Sequence, residues 1–248
     1  MVRKRLIVVL TVNNGILFRT RNFIPDYRYT LNFVDAWSVD EIVLLDITRE
    51  GEGTRQNFLD VVSHFANNCF VPLTVGGGVR SINDFKSLLR IGADKVAINT
   101  QAVIEPGFIN EAAKLFGSQC VVVSMDTKCN GREDYEIFSH WGTRPTGLKA
   151  QKWAKTVQEY GAGEILIQSL EMDGTLQGYD NRLNRMVSDS VDIPVLVCSG
   201  AGKWKDFLDG LKEGGASGVC TTNIYHFTES SIKSAKQYLV RAGIDMRN

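Results

Sequence analysis

Asp126 ends the apolar run CVVVSMD (120–126), and Asp173 opens DGT just beyond the run EILIQSL (164–170). A carboxylate at the end of a buried strand can exchange a proton with a ligand lying over that end. It can equally bond the turn that follows or cap the next helix; residue type leaves both uses open. Two glycine clusters, VGGGVRS (75–81) and CSGAGK (198–203), also follow apolar runs. Glycine lets backbone N–H groups approach a ligand with no Cβ in the way, and a helix N-terminus behind the cluster attracts anions. Asn99-Thr100 and Thr222-Asn223 supply polar side chains nearby. Two such sites imply a long ligand with a phosphate at each end. The histidines His64, His140 and His226 sit beside no candidate nucleophile and lack metal-ligand spacing, so neither a catalytic triad nor a metal site is expected. Position 11 poses the sharpest question. LTVNNG (10–15) follows LIVVL as MDTKCNG (125–131) follows CVVVS, yet it carries Thr11 where the later stretch carries Asp126.

The elements that must position these residues are short apolar runs: 6–12, 41–47, 71–78, 95–100, 120–126, 164–170, 193–200 and 218–223. Their apolar character is nearly continuous, as in parallel strands buried on both faces. Helix-like segments lie between them. One starts at Ser81 as N-cap, another has Pro106 at its start and Gly117 past its end, and two more end in glycine. Eight strands alternating with helices in 248 residues predict an α/β (β/α)8 barrel. An open doubly wound sheet is the alternative. After four strands the chain repeats: LLDITREG against SLEMDGT, TVGGGVR against VCSGAGK, AINT against CTTN, and LTVNNG against MDTKCNG. Four matches in one order predict a single barrel domain of two duplicated (β/α)4 halves, approximately 1–118 and 119–248. The strand ends named above would then gather at one mouth.

At the opposite strand ends stand Arg5, Glu41, Lys95 and Glu164. They could close a neutral ring or be ordinary salt bridges. The 28 basic and 28 acidic residues balance, which argues against a sequence-independent nucleic-acid binder. The apolar run near the N-terminus is too short for a signal peptide core, and no stretch could span a bilayer. The five cysteines form no C-x-x-C pair and suit buried thiols in a reducing cytoplasm.

The stretches LDIT (45–48), PLTVGGGVRS (72–81), GADKVAINT (92–100), FGSQCVVVSMD (116–126), GAGEIL (161–166), DGTLQGYD (173–180) and YHFTESSI (225–232) together resemble the cyclase subunit of imidazole glycerol phosphate synthase, HisF. The resemblance covers nearly the whole chain. It implies a duplicated (β/α)8 barrel without cofactor or metal. A glutaminase subunit, HisH, would dock on the N-terminal face and send ammonia along the barrel axis. There it would meet a bis-phosphorylated ribulosyl intermediate, giving imidazole glycerol phosphate and an aminoimidazole carboxamide ribotide. The family's phosphate positions match Gly78, Asn99 and Thr100 in one half, and Asp173, Gly174, Gly200, Thr222 and Asn223 in the other. Its tunnel gate matches Arg5, Glu41, Lys95 and Glu164.

The departures lie at the mouth. One of the family's two catalytic aspartates matches Asp126; the other falls on Thr11, which cannot act as a carboxylate acid or base. A first-loop lysine is here Arg19, and that loop, around residues 20–35, is shorter. Gln168 stands where the family has a small polar residue, and Cys198-Ser199 where it has Ser-Gly. Thr222-Asn223 replaces an Ala-Ser pair. Two readings stay open. One is a divergent paralogue that passes ammonia to another acceptor. Such HisF-like proteins serve acetamidino-sugar formation in surface polysaccharides, with a HisH-like glutaminase and an ATP-dependent amidotransferase. The other is a working cyclase with a relocated second group, Asp46 or Glu171, or with Asp126 alone.

Overall fold

The computed structural model describes residues 3–28, 39–131, 134–222 and 231–247. β1 (Arg5–Asn13) turns at Asn14-Gly15 into β2 (Ile16–Arg21) and β3 (Ile24–Arg28). β4 (Glu41–Asp46), α1 (Arg55–Asn68), β5 (Leu73–Gly76), α2 (Ile82–Ile91), β6 (Lys95–Ile98), α3 (Thr100–Ile104) and α4 (Gly107–Phe116) follow. β7 (Val121–Cys129) leads into β8 (Tyr135–Ser139) and β9 (Arg144–Lys149), then α5 (Ala150–Glu159). β10 (Glu164–Ser169), α6 (Asn181–Ser188), β11 (Val195–Cys198), α7 (Trp204–Lys212), β12 (Gly218–Thr221) and α8 (Ser231–Arg241) complete the order.

Eight of these strands are parallel and close on themselves in the order β1-β4-β5-β6-β7-β10-β11-β12, with β12 pairing back onto β1. The fold is a (β/α)8 barrel, and each of the eight apolar runs supplies one barrel strand. Burial on both faces explains why those runs are continuous. Leu6, Val8, Leu10 and Val12 of β1 point outward into the helix-facing core, while Ile7 and Val9 point into the lumen with Val43, Ala97, Val122 and Leu166. Among the described residues, no helix is long and apolar enough to cross a membrane.

The helix signals hold at α2. Ser81 is its N-cap, bonded reciprocally with Asp84, and Gly92 ends it in the left-handed region at φ 118°. Phe85 of α2 is fully buried and stacks on Phe116 of α4, centroids 5.1 Å apart. A pair of this kind joins neighbouring helices of the outer layer with about 0.5–1.5 kcal/mol beyond the area it buries.

The apolar runs do not predict the two hairpins. β2–β3 pairs antiparallel on the end of β1, and β8–β9 on the end of β7. Of the first loop, around residues 20–35, the part up to residue 28 belongs to the β2–β3 hairpin, and the rest lies outside the described residues. Asn14 (φ 49°) and Gly15 (φ 78°) form the two-residue turn with both φ values positive that matches strand twist. In register, Thr11 faces Phe18 and Asp126 faces Phe138. Both positions thus stand where a barrel strand runs on into its hairpin.

Candidate functional site

The barrel floor is a closed ring of four charges. The Arg5 guanidinium lies 2.9 Å from Glu41 and 2.8 Å from Glu164, and Lys95 Nζ lies 3.0 Å from Glu41 and 2.7 Å from Glu164. Thr74 donates a further hydrogen bond to Glu41 at 2.8 Å. Glu41 is fully buried. Burial works against the Arg5 charge, but the Glu164 and Glu41 carboxylates outweigh it and hold its pKa above the ordinary value. Of the two sequence readings of these charges, the ring is the one observed. Above it the lumen is apolar, lined by Ile7, Val9, Val43, Ala97, Val122 and Leu166 up to the polar layer at the mouth.

At the mouth, Asp126 is buried and faces Gln168 in register on β10. Gln168 Nε2 donates to Asp126 Oδ1 at 3.2 Å and to Ser124 Oγ at 3.1 Å. Burial pushes the Asp126 carboxyl up to about 7, against hydrogen bonds from Asn99, Ser124 and Gln168 that favour the charged form; the Asp173 carboxylate adds to the rise. A carboxyl poised there can give and take a proton near neutral pH. Thr11, on β1 across the barrel, is buried as well, but its hydroxyl donates to the carbonyl of Phe18 in the hairpin.

The other carboxylates at this end are used by the fold. Asp46 pairs with Arg55 at 2.8 Å and accepts the Thr48 N–H. Glu171 accepts the Cys129 N–H at 3.1 Å. The Asp173 carboxylate accepts the Phe23 N–H of the β2–β3 turn at 3.0 Å, a long-range contact rather than a bond to the turn that follows it. Burial raises the Asp173 pKa, opposed by bonds from Phe23 and Thr20 and by the Arg19 charge. Arg19 pairs with Asp26 on the neighbouring strand rather than lining the mouth cavity.

Two spaces open here. A cavity of about 310 Å³ lies over the first half, where Gly78, Asn99 and Thr100 meet Thr11, Asp126 and Gln168. A cleft of about 20 Å³ lies over the second half, where Asp173, Gly174, Ser199, Gly200 and Thr222 meet. Asn223 lies outside the described residues. Gly77 is required by close approach: a Cβ there would fall 2.2 Å from the Asp46 carbonyl oxygen. Ser199 is buried at φ 77° with its hydroxyl unpartnered among the described residues. The backbone leading into the long helices behind the two clusters already meets carboxylates of the first helical turn. Asp84 accepts the N–H groups of Arg80 and Ser81, and Asp206 those of Gly202 and Lys203. A carboxylate in each first turn opposes an anion at that helix end, while Gly77, Gly78, Asn99 and Thr100 line the larger cavity.

The hairpins bring residues to the mouth that the strand pattern misses. His140 and Trp141, in the β8–β9 turn, line the larger cavity. Arg144 Nη1 lies 3.4 Å from His140 Nε2, and Ser139 Oγ lies 2.9 Å from Nδ1. Burial and the Arg144 charge lower the His140 pKa. An arginine can only donate, so Nδ1 carries the proton toward Ser139 and is no base for it. Gly142 joins the hairpins: a Cβ there would fall 2.5 Å from Leu170 and 3.0 Å from Phe23. Gly142→Ala is expected to cost about 1–3 kcal/mol in urea unfolding, from this clash and its φ of 70°. A loss under a few tenths of a kcal/mol would show that the hairpins do not support each other.

A closed barrel whose polar residues collect where its strands end is the arrangement of (β/α)8 enzymes. More narrowly, the chain belongs to the histidine biosynthesis protein family, whose family model matches residues 8–231.

Proposed function

We propose that this barrel is a HisF-like synthase subunit that receives ammonia at its floor and delivers it to an acceptor at its mouth. The observation that carries the reading is a contrast within one molecule. The charge ring and the apolar lumen above it are complete, while the second working carboxylate is gone and Thr11 is bonded into the hairpin. Arg5, Glu41, Lys95 and Glu164 act as the entrance gate. Asp126 is the acid–base group at the exit. Gly78, Asn99 and Thr100 hold a phosphorylated ligand, and the second-half residues Asp173, Gly174, Ser199, Gly200 and Thr222 remain from a duplicated ancestor of two half-barrels. A HisH-like glutaminase docks on the N-terminal face. Exposed Phe70 and Leu115, in segments leading into β5 and β7, support an apolar contact there. The acceptor belongs to amidino-sugar formation, with an ATP-dependent amidotransferase.

The test is the cyclase reaction. Given ammonia and the bis-phosphorylated ribulosyl intermediate, the purified protein is expected to form imidazole product at least about 100-fold more slowly than an ordinary cyclase, the usual loss with one acid–base group. Turnover near that of an ordinary cyclase sinks the reading. Thr11→Asp alone is expected not to restore activity, because its carboxylate would meet the Phe18 carbonyl that the threonine hydroxyl now satisfies.

The second reading, a slow cyclase of histidine biosynthesis, is favoured by the position of Asp126 and its pKa of about 7. The relocated groups it would need, Asp46 and Glu171, are already bonded to Arg55 and to the Cys129 N–H. Rescue of a histidine auxotroph lacking its cyclase would support it.

A further inference from the structure

We propose that Cys198 and Cys220 form a two-thiol site that hydrogen peroxide oxidises to a disulfide on the lumen wall. The inference goes beyond the ammonia reading and does not depend on it.

β11 and β12 are parallel neighbours. Leu196 faces Gly218 in register and Val197 faces Val219, so one step further on Cys198 faces Cys220. Side chains alternate along a strand, and Leu196, Cys198 and Cys220 all belong to the cluster that fills the lumen. Neighbouring strands stand about 4.8 Å apart. A disulfide spans roughly 4.4–6.8 Å between Cα atoms, so the backbone spacing fits. It also needs its Cβ atoms closer than the strands, about 3.8 Å apart. The inner face of a closed barrel is concave, so inward Cβ atoms converge toward each other. The same pair on the outer face would diverge. Both thiols are free.

The two thiols have different parts in the reaction. Cys220 is fully buried; burial, and after it the neighbouring Cys198 thiol, push its own thiol well above the ordinary value, so it stays protonated. Cys198 is the more exposed of the two, at 7%. Both border the cleft of about 20 Å³ over the second half, with Thr11 and Ser199. A space of that size admits a molecule about as large as water. Hydrogen peroxide fits that description, and oxidised glutathione does not. Cys198 loses its proton to solvent, and its sulfur attacks the peroxide. An S–O bond forms, the O–O bond breaks, and the departing hydroxide takes up a proton and leaves as water. The Cys220 sulfur then attacks the Cys198 sulfenic acid. The S–S bond forms, the S–O bond breaks, and the hydroxyl leaves as a second water with the Cys220 proton. Two thiols lose two electrons and two protons, and the peroxide takes up both pairs. The product ties β11 to β12, the strand that closes the barrel onto β1.

The test exposes the folded full chain to hydrogen peroxide, alkylates it in denaturant and maps the cysteines by mass spectrometry. A peptide linked through Cys198 and Cys220 is expected, and dithiothreitol should return both thiols. The linked form is expected to unfold at a higher urea concentration than the reduced form, because the bond constrains the unfolded chain. Oxidised glutathione is expected to leave both thiols unchanged while the chain is folded. Cys220→Ser should stop the reaction at the Cys198 sulfenic acid, captured by dimedone. Cys198→Ser should leave Cys220 a thiol. Both thiols surviving peroxide in the folded wild type would overturn the proposal without any variant. So would a Cys198 sulfinic acid without the linked peptide, or equal oxidation by peroxide and oxidised glutathione.

Discussion

Glu41→Ala is expected to cost about 3–5 kcal/mol, the usual result of breaking a buried ion pair by removing one partner. Glu41 is fully buried and meets Arg5, Lys95 and Thr74 at 2.8–3.0 Å. Alanine would leave two cations under an apolar lumen with only Glu164 between them. For a chain of this size the loss corresponds to a Tm lower by about 10 °C, read by calorimetry. The charge imbalance, more than the missing contacts, is the cause, and a paired variant separates the two. Arg5→Leu with Glu41→Leu keeps the Lys95–Glu164 pair at 2.7 Å. It is expected to recover most of the stability, because an apolar replacement of a buried pair is often neutral. A single variant within about 1 kcal/mol of the wild type would show that water reaches the floor and solvates the ring.

Asp126→Asn is expected to stabilise the protein above neutral pH. The sign follows from the raised pKa. Between the unfolded value near 4 and the folded value of about 7, the native state binds the proton more tightly. Wild-type stability therefore falls as pH rises through that window and stays low above it. At about 1.4 kcal/mol per pH unit, ionising the buried carboxyl costs up to ~4 kcal/mol by pH 8. Asparagine keeps an oxygen for the Gln168 donor and carries no charge. The variant should exceed the wild type at pH 8 and match it near pH 4, in denaturation at both values. Parallel stability curves would place the Asp126 carboxyl in contact with solvent. Stability gained with activity lost is what removing a strained functional group produces.

The barrel could be read from the sequence because strands buried on both faces leave unbroken apolar runs. The floor could be read in part: Arg5, Glu41, Lys95 and Glu164 each stand at the start of one, but position alone left ordinary salt bridges open and the family resemblance pointed to the ring. The hairpins could not. β2 and β9 carry intermediate and exposed positions throughout most of their length, so they leave no such run. A local signal was present nonetheless: Asn14-Gly15 is the residue pair that tight hairpin turns favour, with both φ values positive. Missing the hairpins meant missing His140 and Trp141, which reach the mouth only by folding back. It also hid the backbone partners that engage Thr11 and Asp173. Spacing alone could have flagged Asp84 three residues after Ser81 as a carboxylate already spent on its helix end.

In the proposed conduit, the apolar layer of Ile7, Val9, Val43, Ala97, Val122 and Leu166 would sort solutes by charge before it sorted them by size. An ion entering it would shed its water with no carboxylate or guanidinium to replace the shell, a cost of several kcal/mol even after relaxation. On the proposed function, whatever crosses does so neutral, so a cation would leave its proton at the floor. Beyond the layer, Asp126 at the mouth is a proton carrier whose affinity for a proton is matched to neutral pH. If the barrel conducts as proposed, its two ends are coupled through the protonation state of the traveller, although no side chain connects them.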